Sequence, residues 1–163
     1  GIVDDLHQAG FSAHVWTVDN ADPAIFCRQA DMDSLTSNRA GMVKDQVYSA
    51  LIPPGWLEQY PALLASAGND YRMAGMSKTG KFDGYGREMS VWEDYVAGTC
   101  PTNPASQFRC FIGMEGGMPV LSWDPDLGGE RVYTLWGKPD LSSAWTTPTN
   151  AASRFFRVGV SLP

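Results

Sequence analysis

Histidine is scarce in this chain: only His7 and His14 occur among 163 residues. Cysteine is nearly as rare. Cys27, Cys100 and Cys110 make an odd count, and the Cys-x-x-Cys spacing of thiolate metal and redox motifs is absent. Cys27 stands beside Ile25 and Phe26 in an expected helix and reads as a buried, inert thiol. Cys100 and Cys110 either close a short loop as a disulfide in an oxidising compartment or remain thiols. Basic residues number 12 against 18 acidic ones, a net charge of −6, and they are scattered. Phosphate recognition on a duplex needs clustered Lys and Arg, so nucleic acid is not an expected partner. No apolar run approaches the roughly 18–20 residues that cross a bilayer, so no transmembrane segment is expected. No signal peptide opens the chain. What is present suffices for folding: 44% of residues are hydrophobic and 12% aromatic, enough for one domain or two small ones.

The first forty residues alternate helix and strand. Ile2, Val3, Leu6 and Ala9 share one helical face, and Gly10 supplies the stop. Residues 11–18 read as a strand covered on both sides, with Phe11, Ala13 and Val15 on one face and Ser12, His14, Trp16 and Val18 on the other. Asp22 is an expected cap and Pro23 fits the first turn of a helix reaching about Ala30. A second short strand follows over residues 32–35, and a strand–helix–strand unit this short implies a right-handed parallel crossover.

This segment resembles the last third of the barrel in glycerophosphodiester phosphodiesterases. The family's His-x-x-Gly helix end has its counterpart in His7 to Gly10. Its Val-x-Trp-Thr-Val-(Asn/Asp) strand end has its counterpart in Val15-Trp16-Thr17-Val18-Asp19, where Val15 stands directly before Trp16. The later Asp-Gly-(Ile/Val)-x-Thr-(Asp/Asn)-(Arg/Lys)-Pro strand end matches residues 33–40, with Ser34 for glycine, Ser37 for threonine and Ala40 for proline. The resemblance covers about a quarter of the chain. It implies a partial β/α unit of the TIM-barrel type and a parent enzyme that hydrolyses glycerophosphodiesters to an alcohol and glycerol 3-phosphate. Such an enzyme uses paired histidines and a divalent metal, calcium or magnesium. It also implies that Trp16, at the end of its strand, lines the substrate pocket at the barrel mouth, where such folds place their chemistry. Plain core packing is the alternative for Trp16.

The family's catalytic groups have no counterpart here. A His-Arg-Gly opening and a Glu-x-Asp pair are absent from the sequence, and neither histidine matches them. His7 reads as a surface residue at a helix end and His14 as a satisfied core histidine. No catalytic residue, no metal ligand and no cofactor is therefore assigned to this chain, which is expected to be inactive alone and to continue a larger protein. Its only expected small-molecule partner is the parent's phosphodiester. Phe11, Val15 and Leu35 are expected to leave apolar edges exposed, because two strands cannot close a barrel.

Beyond Arg39 the pattern changes. Residues 41–51 read as an amphipathic helix carrying Val43, Val47 and Leu51, and residues 52–55 (Ile-Pro-Pro-Gly) mark a boundary. Trp56, Leu57, Tyr60, Leu63, Leu64 and Ala67 repeat at helical spacing, with Pro61 splitting the run into two short helices. Residues 74–87 lack periodicity and read as a loop, and residues 90–96 as a helix stopped by Gly98 and Pro101. Strands are expected at 109–114 and 119–123 around the hairpin signal Glu115-Gly116-Gly117, and again at 131–137 and 154–162. The expected fold class is α+β. A partial barrel unit (1–51) leads into a helical and turn-loop segment (52–107), then a small antiparallel β-sheet or sandwich (108–163).

The later segments carry Trp92-Glu93-x-Tyr95-Val96-Ala97-Gly98-Thr99, Pro101-Thr102-x-Pro104, Val120-Leu121-Ser122-Trp123-Asp124-Pro125 and Ala152-Ser153-Arg154-Phe155-Phe156-Arg157-Val158. Over residues 52–163 this resembles a C-terminal module of large bacterial secreted and surface proteins. The resemblance implies a secreted, periplasmic or cell-surface location and a cell-envelope component as partner, as a sorting or attachment module rather than an enzyme. Relatives of the pattern place an Asp-x-Asp-Gly-Asp-Gly calcium loop before it. Here Lys81 and Tyr85 stand at two ligand positions and Cys100 at a later one, leaving Asp83 and Glu93. Calcium takes six to eight oxygens, so the loop reads as eroded, its glycines keeping only the turn.

Overall fold

The computed structural model describes residues 1–147 and 153–163 and shows a mixed α and β chain. Ala152, the first residue of the ending quoted above, lies outside the described residues. Two compact units form: residues 1–78 with 90–92, and residues 79–89 with 93–163. The helices between residues 54 and 76 fall in the first unit, with the partial barrel segment. Each pair of strands makes its own two-stranded sheet, and no barrel closes among the described residues.

In the first unit, α1 (Ile2–Gln8) places Asp4 and Asp5 in its first turn and His7 in its last, matching the helix dipole. Gly10 ends it at φ +80, with Gly10 N–H bonded to His7 O and Phe11 N–H to Leu6 O, both at 2.9 Å. This is the paired bonding of a left-handed helix stop. Strand β1 (His14–Val15), helix α2 (Ala21–Gln29) and strand β2 (Ser34–Leu35) follow, with β1 and β2 parallel in register His14 to Ser34 and Val15 to Leu35. The expected eight-residue strand shrinks to two because β1 pairs only with β2. Asn20 rather than Asp22 occupies the cap of α2.

Helix α3 (Ala40–Ala50) buries Val43 and Val47 against Val18, Ala24 and Cys27, closing a small core that Val15, Ile25, Met32 and Leu51 flank. Cys27 is thus a buried thiol. The proline at Pro61 splits the next stretch as expected, into α4 (Pro54–Leu57) and α5 (Pro61–Ser66). Helix α6 (Tyr71–Met76) is capped by Asp70, whose side chain accepts from Met73 N–H at 2.9 Å. Gly75 lets α6 approach α3: a Cβ there would stand 2.7 Å from Ser49 Cβ and 2.9 Å from Ile52 Cδ1.

The expected loop at 74–87 is corrected: residues 71–76 are helical, and β3 (Lys78–Phe82) pairs with β4 (Glu88–Ser90). The tract lacks apolar alternation because polar side chains, described below, hold it in place. Helix α7 (Val91–Ala97) follows directly. In the second unit, β5 (Arg109–Glu115) and β6 (Met118–Asp124) form an antiparallel hairpin across Gly116 and Gly117. Both glycines have positive φ, +56 and +82, as a tight two-residue hairpin requires. Then β7 (Val132–Lys138) pairs with the distant β8 (Phe155–Ser161), also antiparallel.

Antiparallel pairing is therefore present, among the described residues as separate two-stranded sheets. After β6 the chain turns at Pro125, which has no N–H, and passes through a 3-10 turn at Gly128–Glu130, so β7 does not extend the first ladder. Arg131 holds this region to α7: its Nε donates to Val96 O at 2.9 Å and its Nη2 to Tyr95 O at 2.8 Å.

Candidate functional site

The residues singled out in the sequence meet at the carboxyl ends of β1 and β2. Val18 N–H bonds Thr36 O and Thr36 N–H bonds Val15 O, both at 2.9 Å, which carries the pairing beyond the strands. Asp19 then ties the two ends together. Its Oδ1 accepts from Asn38 N–H at 2.8 Å and from Ser37 Oγ at 3.0 Å, and its Oδ2 accepts from Asn38 Nδ2 at 3.0 Å. The Asn38 side chain, then its backbone N–H, lower the carboxyl's pKa below the ordinary value, with Ser37 and the Arg39 charge adding to the effect. Asp19 thus stays ionised and holds the 37–39 turn beside the end of β1.

Trp16 stands at this end, and its side chain is 79% exposed. Among the described residues it is packed into no core. The ring, the Asp19 carboxylate and the Arg39 turn give this end one aromatic wall and charges of both signs. The one hydroxyl–carboxylate pair here, Ser37 Oγ on Asp19 Oδ1 at 3.0 Å, is part of the lock that holds the turn.

Both histidines lie near the opposite ends of the strands. His7, half-buried at the end of α1, donates from Nε2 to Asp33 Oδ2 at 2.9 Å, and Asp33 Oδ2 also accepts from Ala13 N–H at 2.6 Å. That hydrogen bond, reinforced by the charges of Asp33, Asp31 and Asp4, raises the His7 pKa above 6.5. Asp33 is lowered first by the Ala13 N–H and then by His7. The expectation of a core histidine at His14 is corrected: its ring is exposed and bonds the Ser34 hydroxyl across the register pair. A strand with one neighbour has no second layer to cover that face.

The exposed edges expected around β1 are present in Phe11, at 64% exposure, and in Leu35, while Val15 is half-buried. The apolar face of α1 buries none of its residues.

At the turn of β3–β4 the two carboxylates left from the eroded calcium pattern are engaged by one cation. Arg87 forks onto Glu93, with Nη1 3.0 Å from Oε2 and Nη2 2.5 Å from Oε1, and its Nε lies 3.2 Å from Asp83 Oδ2. Asp83 Oδ1 also accepts from Tyr85 N–H and Arg87 N–H, each at 2.9 Å. Sequence reasoning passed over Arg87, although its spacing of four from Asp83 was visible. Cys100, half-buried, and Cys110, exposed, form no disulfide. Among the described residues no group of three or more His, Cys, Asp or Glu side chains is placed to hold a metal. Among the described residues no helix is long and apolar enough to cross a membrane.

Comparison with known proteins gave no match to a family model, a curated protein or a solved structure.

Proposed function

We propose that residues 1–51 are closing elements of a glycerophosphodiester phosphodiesterase-like β/α barrel, and that Trp16 walls its substrate pocket. The observation that carries this reading is the parallel β1–α2–β2 unit, whose carboxyl end presents an exposed Trp16 ring beside the Asp19–Asn38 lock. The uncovered apolar residues of α1 and β1 suit packing against further barrel elements, which would supply the acid/base histidines and the carboxylates for calcium or magnesium. These 163 residues alone then hydrolyse nothing. The test is metal-dependent hydrolysis of glycerophosphocholine by the product of a reading frame extended upstream. Activity there, lost about tenfold or more in kcat/KM on Trp16→Ala, supports the reading, a factor of ten being about 1.4 kcal/mol of transition-state binding. Hydrolysis by the 163 residues themselves, or activity indifferent to Trp16, contradicts it.

A second reading concerns the other unit. Phe111, Ile112, Met114, Met118 and Val120 on the β5–β6 hairpin are all exposed, Met114 at 71%. Apolar side chains on an open two-stranded ladder favour attachment to another surface. This supports a sorting or attachment role at a bacterial cell envelope. Retention of the chain in an envelope fraction, lost on Ile112→Lys with Met114→Lys, is the expected outcome; equal retention of the double variant refutes it.

A further inference from the structure

A buried ion pair in the second unit joins the hairpin that reads as an eroded ion loop to α7. Lys81 on β3 is 3% exposed along its side chain, and Asp94 on α7, its ion-pair partner, is 0% exposed. The ammonium has three protons and three oxygen acceptors around it. One is Asp94 Oδ1, in direct ion-pair contact. The others are the main-chain carbonyls of Cys100 and Ser106, each 2.9 Å from Nζ. The loop supplying those carbonyls is folded back on itself. Cys100 N–H donates to Ser106 Oγ at 2.9 Å, and Ser106 N–H donates to Asn103 O at 3.0 Å. The Thr99 hydroxyl donates to the same oxygen, Asp94 Oδ1.

A carboxylate and two main-chain carbonyls converging on one point are the donor set of a hard-cation site. Two carbonyls converging on one point repel unless a positive charge lies between them. Here the charge arrives on a side chain whose three donors match three acceptors. Arg87 repeats the arrangement on the same hairpin, between Asp83 and Glu93.

We infer that the 94–106 segment forms a cation site whose resident cation is the Lys81 ammonium. With that side chain shortened, the site is a receptor for a free primary alkylammonium. The intact unit then holds its fold with no added ion, and chelators leave it unchanged. The site is distinct from the Trp16 end and stands or falls without it.

The test uses the full chain carrying Lys81→Ala, which removes three methylenes and the ammonium and leaves a void shaped for n-propylammonium. Breaking a buried pair on one side leaves Asp94 uncompensated, so Tm falls by more than about 10 °C. Saturable recovery of several degrees with n-propylammonium chloride, and none with tetramethylammonium chloride at equal ionic strength, is the expected result. Equal recovery with both salts, recovery with calcium alone, or no fall in Tm overturns the assignment. Should the variant not fold, the unaltered protein decides through the proton–nitrogen NMR signals of its four lysine ammonium groups, Lys44, Lys78, Lys81 and Lys138. Lys81 is expected to keep its signal at a pH where exchange with water erases those of Lys44 and Lys138. Loss of the Lys81 signal together with theirs overturns the inference.

Discussion

His7 and Asp33 pin the end of α1 to the entry of β2, and their titration makes that contact measurable. The folded pKa of His7 is raised above 6.5, chiefly by the Asp33 hydrogen bond. Its contribution is full below the ordinary histidine value and is lost as pH rises through the raised one. Asp33 runs the other way. Its pKa is lowered from 3.8, so its contribution is present above that value and is lost as pH falls through the depressed one. The contact is therefore strongest between the two folded values. An NMR titration should give His7 a midpoint above 6.5, returning toward it in Asp33→Asn; a midpoint indifferent to Asp33 contradicts the pairing. Arg131 offers a second test, since its guanidinium bonds the last carbonyls of α7 at 2.8 and 2.9 Å and lies 4.8 Å over the Tyr95 ring. Charged hydrogen bonds contribute about 1.5–3 kcal/mol, so Arg131→Met should lower urea stability by about 2 kcal/mol. Of these contacts the sequence displayed only the ingredients. His7 was legible as a helix-end residue, but its partner lies 26 positions away and depends on how α2 folds back.

At the scale of elements, the features controlled by local chemistry were the legible ones. Gly10 stops α1, Pro61 separates α4 from α5, and Gly116-Gly117 turns the β5–β6 hairpin, each through a backbone preference within a few residues. The ladders were legible only in part. Residues 11–18 have the composition of a buried strand, yet they pair over two residues because strand length is set by neighbours, and β1 has one. The β3–β4 pairing was invisible, since Lys78-Thr79-Gly80-Lys81 shows no apolar alternation and one of its anchors is an ammonium reaching Asp94. Two substitutions probe these elements. Gly75→Ala forces a methyl group into Ser49 and Ile52 and should cost about 1–3 kcal/mol in denaturant unfolding, as overpacking does. Gly117→Ala leaves open space around the new methyl but must hold φ +82, so about 1–2 kcal/mol of strain is expected with little change in contacts. A Gly75→Ala variant as stable as the parent would show that α6 does not press on α3 at this point.

For the whole molecule, the chain joins two units that differ in kind. The first carries a parallel β–α–β element with an exposed aromatic residue at its carboxyl end. The second carries the antiparallel pairs β5–β6 and β7–β8, together with the Lys81 and Arg87 ion pairs beside the β3–β4 turn. Of the candidate site, Trp16 and the 33–39 strand end were legible through the family-like spacing, and the structure brings them together at one end of the β1–β2 pair. The Asp19 lock was not legible, because a carboxylate bonding a turn 18 and 19 residues later leaves no local pattern. The central proposal is that residues 1–51 belong to a phosphodiesterase-like barrel, and the codons immediately upstream of Gly1 test it most directly. An open frame encoding a His-Arg-Gly strand end followed by a Glu-x-Asp pair is the predicted result, whereas a stop codon directly before Gly1 would contradict it.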